Sequence, residues 1–271
     1  MNITFYGAAR NVTGSKHLIE TSSGKKILLD CGFFQNRGKD NDRLNRSFSF
    51  DPQQIDLMIL SHAHIDHSGN IPNLVKQGFN KTIFTTQATI DLCEVMLADS
   101  AYIQSGDIEY INRRRRRDGQ KALEPIYEIE DVEKAMKLFA PVAVNKRFQY
   151  DDEISFEFTD AGHILGSVSV HVFITENGNT KQITFSGDVG RFNDLILKAP
   201  APFPQADYIL CESTYGNRLH DQSTDARKKL LQIVNQTCVE QKGKLIIPAF
   251  SLGRTQEIIY TLDRFKTENK L

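Results

Sequence analysis

The amino-acid sequence predicts an α/β fold in which β-sheets pack together and helices connect many of the strands. Short apolar runs of strand length alternate with segments whose apolar residues recur at helical spacing. Several apolar runs are followed directly by reactive side chains, as expected for a site built from loops at one edge of packed sheets. The 271 residues suffice for one large domain, or for one domain and part of another.

The elements follow this alternation along the chain. Apolar residues at helical spacing within residues 88–103 predict a core-facing stripe: Ile90, Cys93, Met96, Leu97 and Ala101. His171 falls in the middle of a late strand, where a packed histidine is favoured over a ligand. The predicted strands are 2–6, 16–20, 25–30, 55–60, 82–85, 154–158, 168–174 and 181–186, and the predicted helices are 70–77, 88–103, 130–139 and 253–265.

Residues 61–69, SHAHIDHSG, follow the strand at 55–60 and contain three imidazoles and a carboxylate. In extended backbone His62 and His64 project to the same side, while Asp66 and His67 can reach a second point nearby. This geometry suits two metal ions better than one. Imidazole nitrogen with carboxylate oxygen, and no cysteine, favours zinc or a similar cation over calcium or magnesium. A solvated histidine turn is the competing interpretation.

Three further candidates also stand just past apolar strands: Asp30, His163 and Asp188. A lone aspartate at a strand end is usually a turn former, and a lone histidine in a glycine turn is usually exposed. Together with the histidine cluster, His163 and Asp188 supply the ligands that a two-metal site still needs.

Composition limits the class of protein. The hydrophobic fraction of 40% and the charged fraction of 25% are those of an ordinary globular protein. The net charge of −1 says nothing by itself about nucleic acid, so any basic surface must be local. No signal-peptide pattern or membrane-length apolar run occurs, so we expect a cytoplasmic protein. The dispersed cysteines predict reduced thiols. Oligomeric state is not predicted, and a homodimer stays open.

Four segments resemble, in order, the motifs of the metallo-β-lactamase superfamily: LDCG at 29–32, HAHIDH at 62–67, GH at 162–163 and GD at 187–188. A fifth, CESTYGNR at 211–218, resembles the first motif of the β-CASP branch, whose members process nucleic acids. Segments 7–15 and 248–257 strengthen that likeness. The resemblance runs the length of the chain.

The resemblance implies an αββα sandwich with the start of an inserted β-CASP α/β domain. Residues 1–207 would form the metallo-β-lactamase domain without its closing segment, and residues 208–271 the first part of the β-CASP domain. The family's last zinc histidine and its β-CASP histidine have no counterpart in this sequence. We therefore expect a C-terminally truncated chain that is weakly active or inactive alone.

The same resemblance implies that the chain comes from a zinc-dependent ribonuclease of RNA processing or degradation, which cleaves phosphodiester bonds of single-stranded RNA through a metal-bridged hydroxide. Two zinc ions are implied per full-length chain, with the second site incomplete here. Asp66, Glu212 and Asp30 are the implied catalytic residues; Asp30 would orient a ligand and Glu212 would poise a histidine. The implied metal ligands are His62, His64 and His163 at the first ion, Asp66 and His67 at the second, and Asp188 between them.

Five consecutive arginines give residues 113–121 a local charge of +5: Arg113, Arg114, Arg115, Arg116 and Arg117. A solvated helix end or mobile loop is one interpretation, and phosphate contacts from a loop overhanging the site are the other. Two other functions stay open: a small-molecule hydrolase of the thioesterase or lactonase type, and a non-catalytic nucleic-acid-binding scaffold. Glu rather than Asp at 212 resembles the RNA branch, whereas cleavage mode and RNA sequence specificity are not predicted.

Overall fold

A computed structural model describes residues 1–35, 40–219 and 226–271. Across these residues the strands form two sheets. The first sheet contains β1 (Asn2–Phe5), β2 (His17–Glu20), β3 (Lys26–Leu29), β4 (Leu57–Ile59), β5 (Ile83–Thr85) and β6 (Phe139–Pro141). The second contains β7 (Phe148–Gln149), β8 (Ile154–Asp160), β9 (Val168–Glu176), β10 (Asn179–Phe185) and β11 (Tyr208–Leu210).

The first sheet has the order β1-β2-β3-β4-β5-β6, antiparallel from β1 to β3 and parallel from β3 to β6. The second has the order β11-β10-β9-β8-β7 and is antiparallel except for the parallel pair β10–β11. Leu29 pairs with Ile59 at the carboxyl ends of β3 and β4. The residues that follow these two strands therefore emerge side by side at one edge of the sheet.

The helices lie mainly between strands in sequence. Among the described residues, none combines the length and apolar character needed to cross a bilayer, not even the longest, α4. The helices are α1 (Asn41–Arg46), α2 (Ile65–Ser68), α3 (Ile71–Lys76), α4 (Gln87–Arg117), α5 (Ile129–Met136), α6 (Ala226–Val234) and α7 (Arg254–Thr267), with a 3₁₀ turn at Pro52–Gln54 and a π-helical segment at Asn235–Glu240.

The core has two layers because side chains alternate between the two faces of the first sheet. On the inner face, Ile59 and its neighbours meet Phe156 and Val172 of the second sheet. On the outer face, Met58 and its neighbours pack against the helices, including Leu97 of α4. The predicted α/β sandwich is confirmed, and the division at residue 207 stays a prediction.

The predicted strands and the helix at 130–139 are confirmed to within a few residues. His171 is packed, as predicted: its two ring nitrogens lie 2.9 Å from the hydroxyls of Thr159 and Thr184. Burial lowers the pKa of this imidazole to about 4. It is therefore a neutral structural residue at physiological pH.

The helix predicted at 88–103 continues to Arg117, so the arginine run forms its last turns rather than a loop. This end is fastened to the chain that follows, because the Asn112 side chain pairs with the backbone of Leu123 and Arg115 Nε donates to the Lys121 carbonyl at 2.7 Å. Cationic side chains also complement the negative end of the helix dipole. These contacts explain why the helix extends beyond the last residue of its apolar stripe.

Gly106 and Gly178 allow a direct test of backbone preference, because a Cβ would meet no atom within 4 Å at either position. We expect Gly106→Ala to raise the free energy of unfolding by up to about 1 kcal/mol, since α4 is helical there. Gly178→Ala should lower it by about 1–2 kcal/mol, because φ is +77° in the β9–β10 turn. Urea denaturation measures both; equal shifts would contradict the assigned conformations.

Candidate metal centre

Three imidazoles from two loops converge at the edge where β4 and β8 end. His62 Nε2 lies 3.2 Å from His64 Nδ1, and His163 Nε2 lies 3.1 Å from the same atom. The first two residues leave β4 in extended backbone, and the third comes from the glycine turn between β8 and β9. The structure therefore brings the His163 nitrogen to two nitrogens that lie about a hundred residues earlier in the sequence.

Asp188 joins this group from the loop after β10. Its Oδ2 lies 3.5 Å from His163 Nε2 and 3.9 Å from His62 Nε2. Its other oxygen, Oδ1, lies 3.3 Å from His67 Nε2. The two oxygens of one carboxylate thus face two different sets of imidazoles.

Asp66 and His67 lie within the short helix α2 and face the second side of Asp188. Asp66 Oδ2 lies 3.9 Å from His67 Nε2. Both side chains are largely covered by protein, with relative exposures of 20% and 6%. Together with Asp188 Oδ1 they form a second, smaller group of donors beside the first.

The carboxylate of Asp30 fixes much of this arrangement. It is fully buried and accepts from the Ser61 backbone N–H at 2.8 Å, the Ser61 hydroxyl at 3.0 Å, the Ser15 hydroxyl at 3.0 Å and His67 Nδ1 at 2.7 Å. Four donors fill the capacity of the two oxygens. Because His67 donates from Nδ1, its Nε2 is left to face Asp188.

Asp30 acts on His62 through Ser61. The Ser61 hydroxyl donates to Asp30, so it is free to accept from His62 Nδ1, which lies 3.0 Å away. A proton on Nδ1 leaves the Nε2 lone pair facing the cluster. The sequence predicted a role for Asp30, but it did not identify Ser61 or Ser15. The only signal for Ser61 was its position next to the first histidine.

Burial and mutual repulsion keep most of the imidazoles neutral. Desolvation, then the neighbouring histidines, lower the pKa of His62 well below its usual value. Burial and then His163 lower the pKa of His64 to about 4. Burial also lowers the pKa of His163, partly opposed by Asp188. Burial alone would disfavour a charged His67, yet Asp30 and Asp188 together raise its pKa well above the usual range.

The first group has the geometry of a cation site. His62, His64, His163 and Asp188 each offer one ligand atom, and these atoms all lie within 4.8 Å of one another. Neighbouring ligands of a tetrahedral ion with bonds near 2.05 Å are about 3.3 Å apart, close to the nitrogen separations here. His64 Nδ1 as a neutral nitrogen can make one ordinary hydrogen bond, yet two imidazole nitrogens face it. The donor set therefore implies a metal ion.

Two glycines allow the ligand loops to approach other backbone. A Cβ on Gly32 would lie 1.6 Å from the Asp66 carbonyl oxygen, and one on Gly190 would lie 1.6 Å from the Gly162 carbonyl oxygen, next to His163. Neither position can accept a side chain without displacing a ligand-bearing segment. In the LDCG and GDVG sequences, the final glycines are thus needed for close packing of the backbone, just as the aspartates are needed at the centre.

Glu212 follows β11 and lies beside the centre. Its Oε1 accepts from the Val189 backbone N–H at 2.6 Å, and its own N–H donates to the Ser186 hydroxyl at 3.0 Å. The predicted role of poising a histidine is not tested by these contacts.

The arginine run lies apart from the centre: Cys93 of α4 lies against Ser68, and Arg117 is about 36 Å further along the helix axis. A loop overhanging the site is therefore the wrong interpretation.

Residues 13–232 match the sequence family described as the Metallo-beta-lactamase superfamily. The chain belongs to the metallo-β-lactamase superfamily. Its match with Ribonuclease TTHA0252 of Thermus thermophilus is 36% identical over 97% of this chain and 54% of that protein. This metallo-β-lactamase chain is also 32% identical to Transcription termination factor FttA of Methanosarcina mazei, over 97% of this chain and 39% of that protein.

A third relative, Cleavage and polyadenylation specificity factor 73 of Drosophila melanogaster, is 32% identical over 97% of this chain and 36% of its own length. These relatives confirm the resemblance to the β-CASP, RNA-processing branch of the metallo-β-lactamase superfamily. The chain spans about half the length, or less, of the relatives named here.

Replacing either glycine should weaken metal binding. We expect Gly32→Ala to push on the Asp66 backbone and Gly190→Ala to push on His163, lowering metal affinity by about 10- to 100-fold, as for other residues that position ligands. Zinc titration against a competing chelator measures this, with circular dichroism as a check on folding. Gly106→Ala is the control, and unchanged affinity in a folded Gly190→Ala protein would contradict the packing argument.

Proposed function

We propose that the protein to which this chain belongs is a zinc-dependent ribonuclease that hydrolyses phosphodiester bonds during RNA processing or degradation. The observation that carries the proposal is the donor set of His62, His64, His163 and Asp188, whose ligand atoms lie within 4.8 Å of one another. The curated relatives support RNA as the substrate class, since they include a ribonuclease and a cleavage and polyadenylation factor.

Two zinc positions share Asp188 in this proposal. His62, His64 and His163 would hold the first ion, and Asp66 with His67 would hold the second. The separate orientation of the two Asp188 oxygens, 3.5 Å from His163 and 3.3 Å from His67, supports a shared ligand. When bound, zinc supplies Lewis acidity that neutralises charge on phosphoryl oxygens and lowers the pKa of water.

The remaining residues orient groups and handle protons. Asp30 holds His67 directly and His62 through Ser61, which directs both Nε2 atoms at the centre. Glu212 is fixed by the Val189 N–H, and a carboxylate held there is suited to orient a proton donor for the leaving oxygen. Asp66 borders the second zinc position, and we propose that it is a catalytic residue.

We propose that the substrate is single-stranded RNA and that the protein is cytoplasmic. The proposal applies equally to a monomer and to a homodimer. All four cysteines are free, two of them buried and two exposed, which fits a reducing compartment. A strand can reach the centre more easily than a duplex, because two of the proposed ligands, His67 and Asp188, line a cavity.

Zinc-dependent RNA cleavage tests the proposal. The zinc-loaded chain in excess over a labelled single-stranded RNA should cleave it slowly in a single turnover, and Asp188→Asn should reduce the rate by at least about 10²-fold. Chelation should have the same effect. Hydrolysis of a lactone or thioester by this preparation, with no zinc-dependent cleavage of RNA, would instead indicate a small-molecule hydrolase.

Metal analysis is a separate prediction. We expect between about one and two zinc ions per chain after purification without chelator, with the four-donor position filling first because it supplies a complete tetrahedral set. His64→Ala should reduce the content of the tighter position, whereas His171→Ala, a histidine outside the centre, should not. Elemental analysis with a folding check decides it; less than half an equivalent of zinc in the folded parent chain would exclude this assignment.

The arginine run is proposed to bind RNA phosphates away from the centre. Arg113, Arg114 and Arg117 have side-chain exposures of 69%, 80% and 78%. Their ion pairs, with Glu109 or Asp118, are exposed and therefore weak. At about 36 Å from Cys93 along the helix, the run would contact phosphates about ten stacked nucleotides from the centre. It would therefore favour long substrates.

Replacing Arg113, Arg114, Arg116 and Arg117 with serine should weaken RNA binding and reduce its salt dependence, because each lost phosphate contact lowers the logarithmic slope by about 0.7 for single strands. Arg115 is retained because it caps the Lys121 carbonyl. The matched control changes four exposed cations elsewhere to serine: Arg43, Lys134, Lys137 and Lys146. Fluorescence anisotropy at several salt concentrations measures the slopes. Equal slopes for both variants would indicate that the arginine run is a solvated helix end that does not contact phosphates.

A further inference from the structure

A cavity of about 300 Å³ opens beside the metal centre. Of the six residues proposed as metal ligands, His67 and Asp188 line it. One wall is formed by the N-terminal segment of residues 8–12 and the other by residues 210–214. The cavity is therefore continuous with the side of the centre where Asp188 Oδ1 and His67 meet.

The walls combine an apolar face with hydrogen-bonding groups. Phe5 and Val12 line the cavity with relative exposures of 53% and 61%. Asn11, Ser213 and Thr214 add amide and hydroxyl groups to its lining. An aromatic ring beside polar groups is the combination that holds a nucleobase, by stacking and by hydrogen bonds to its edge or to a ribose hydroxyl.

A buried histidine in the wall also has one ring nitrogen without a hydrogen-bond partner among the described residues. His17 is 5% exposed, lies between the rings of Phe5 and Phe185 and contacts Ser15 Oγ through Nε2 at 3.3 Å. Its Nδ1 has no hydrogen-bond partner among the described residues. Buried ring nitrogens are rarely left unpaired, and the ring that carries this one lines the cavity.

Arg10 contributes an exposed positive charge to the lining. It makes no ion pair or hydrogen bond with the described part of the chain. Its φ of 56°, and that of 51° at Ala8, place two non-glycine residues in the left-handed region within three positions. Such backbone is unfavourable by about 1–2 kcal/mol per residue and tends to persist where a loop contacts a ligand.

We propose that this cavity binds one nucleotide of the RNA strand adjoining the cleaved phosphodiester, and that Arg10 pairs with the next phosphate along the strand. The inference rests on the proposed ribonuclease function and adds to it a binding subsite and its residues. The cavity volume is at the lower end of the roughly 300–1,000 Å³ of small-ligand sites. It suits a single nucleotide, with the base against Phe5 and the phosphate toward the metal ion that His67 and Asp188 would hold.

Two cysteines give a direct measurement. Cys211 is exposed and lines the cavity, Cys238 is exposed outside it, and Cys31 and Cys93 are buried. We expect AMP at about ten times its dissociation constant to slow alkylation of Cys211 by iodoacetamide about tenfold in the zinc-loaded chain. Cys238 should react at an unchanged rate, and inorganic phosphate alone should leave Cys211 unprotected.

Arg10→Ala separates the two parts of the proposal. A 5′-phosphorylated diadenylate carries a second phosphate, so the variant should need about tenfold more of it to protect Cys211, the loss expected for one charged hydrogen bond. Protection by AMP should not change. Arg43→Ala, which removes the same charge outside the cavity, should behave as the parent. Val12→Trp should narrow the cavity and weaken protection by AMP while zinc content stays at the parent level.

The outcomes distinguish this inference from the ribonuclease assignment. An alkylation rate at Cys211 that stays constant through millimolar AMP, or equal protection by inorganic phosphate, would overturn the cavity proposal even if RNA is cleaved. Protection of Cys211 by AMP, together with zinc-dependent hydrolysis of a lactone or thioester but not of RNA, would overturn the ribonuclease assignment and leave a nucleotide site. An unchanged diadenylate titration in Arg10→Ala would remove Arg10 from the subsite.

Discussion

The buried carboxylate of Asp30 is the constraint on which the centre depends. It is held at the end of β3 with φ of 58°, where Asp30 N–H donates to the Ile59 carbonyl at 3.0 Å. The parallel β3–β4 pairing brings this carboxylate beside Ser61 at the start of the histidine loop. One buried charge then orients His67 directly and His62 through a hydroxyl. Removing its negative charge would leave both imidazoles free to choose the other tautomer.

Sequence periodicity was sufficient for the strands because both sheets bury apolar residues at fixed spacing. Ile59 and Val172 lie in one core layer and Met58 in the other, so the alternation could be read directly. The length of α4 could not be read from the apolar periodicity. Beyond Ala101 the helix has little buried apolar surface, and contacts made by Asn112 and Arg115 with the following loop stabilise it. Such side-chain to backbone contacts have no periodic signature.

The candidate metal residues were predictable because their chemistry is rare and clustered, whereas their supporting residues were not. Ser15 and Ser61 are ordinary residues in the sequence, and only the fold brings both hydroxyls within 3.0 Å of Asp30. The separate orientations of the two Asp188 oxygens were equally hidden, because they depend on the position of the loop after β10. Gly190 sets that position by allowing contact with the Gly162 carbonyl.

Ser15 links the proposed nucleotide cavity to the metal centre. Its hydroxyl donates to Asp30, its N–H donates to the Asp66 carbonyl at 2.9 Å, and its carbonyl accepts from Gly32 at 3.0 Å. The segment of residues 8–12 that forms one cavity wall is therefore followed, three positions later, by a residue fixed to both sides of the centre. This anchoring restrains the wall relative to the ligands, so a nucleotide seated against it would present its phosphate in one register to the metal ion that Asp188 would hold. Positioning of this kind can supply much of an enzyme's rate enhancement without any further reactive group.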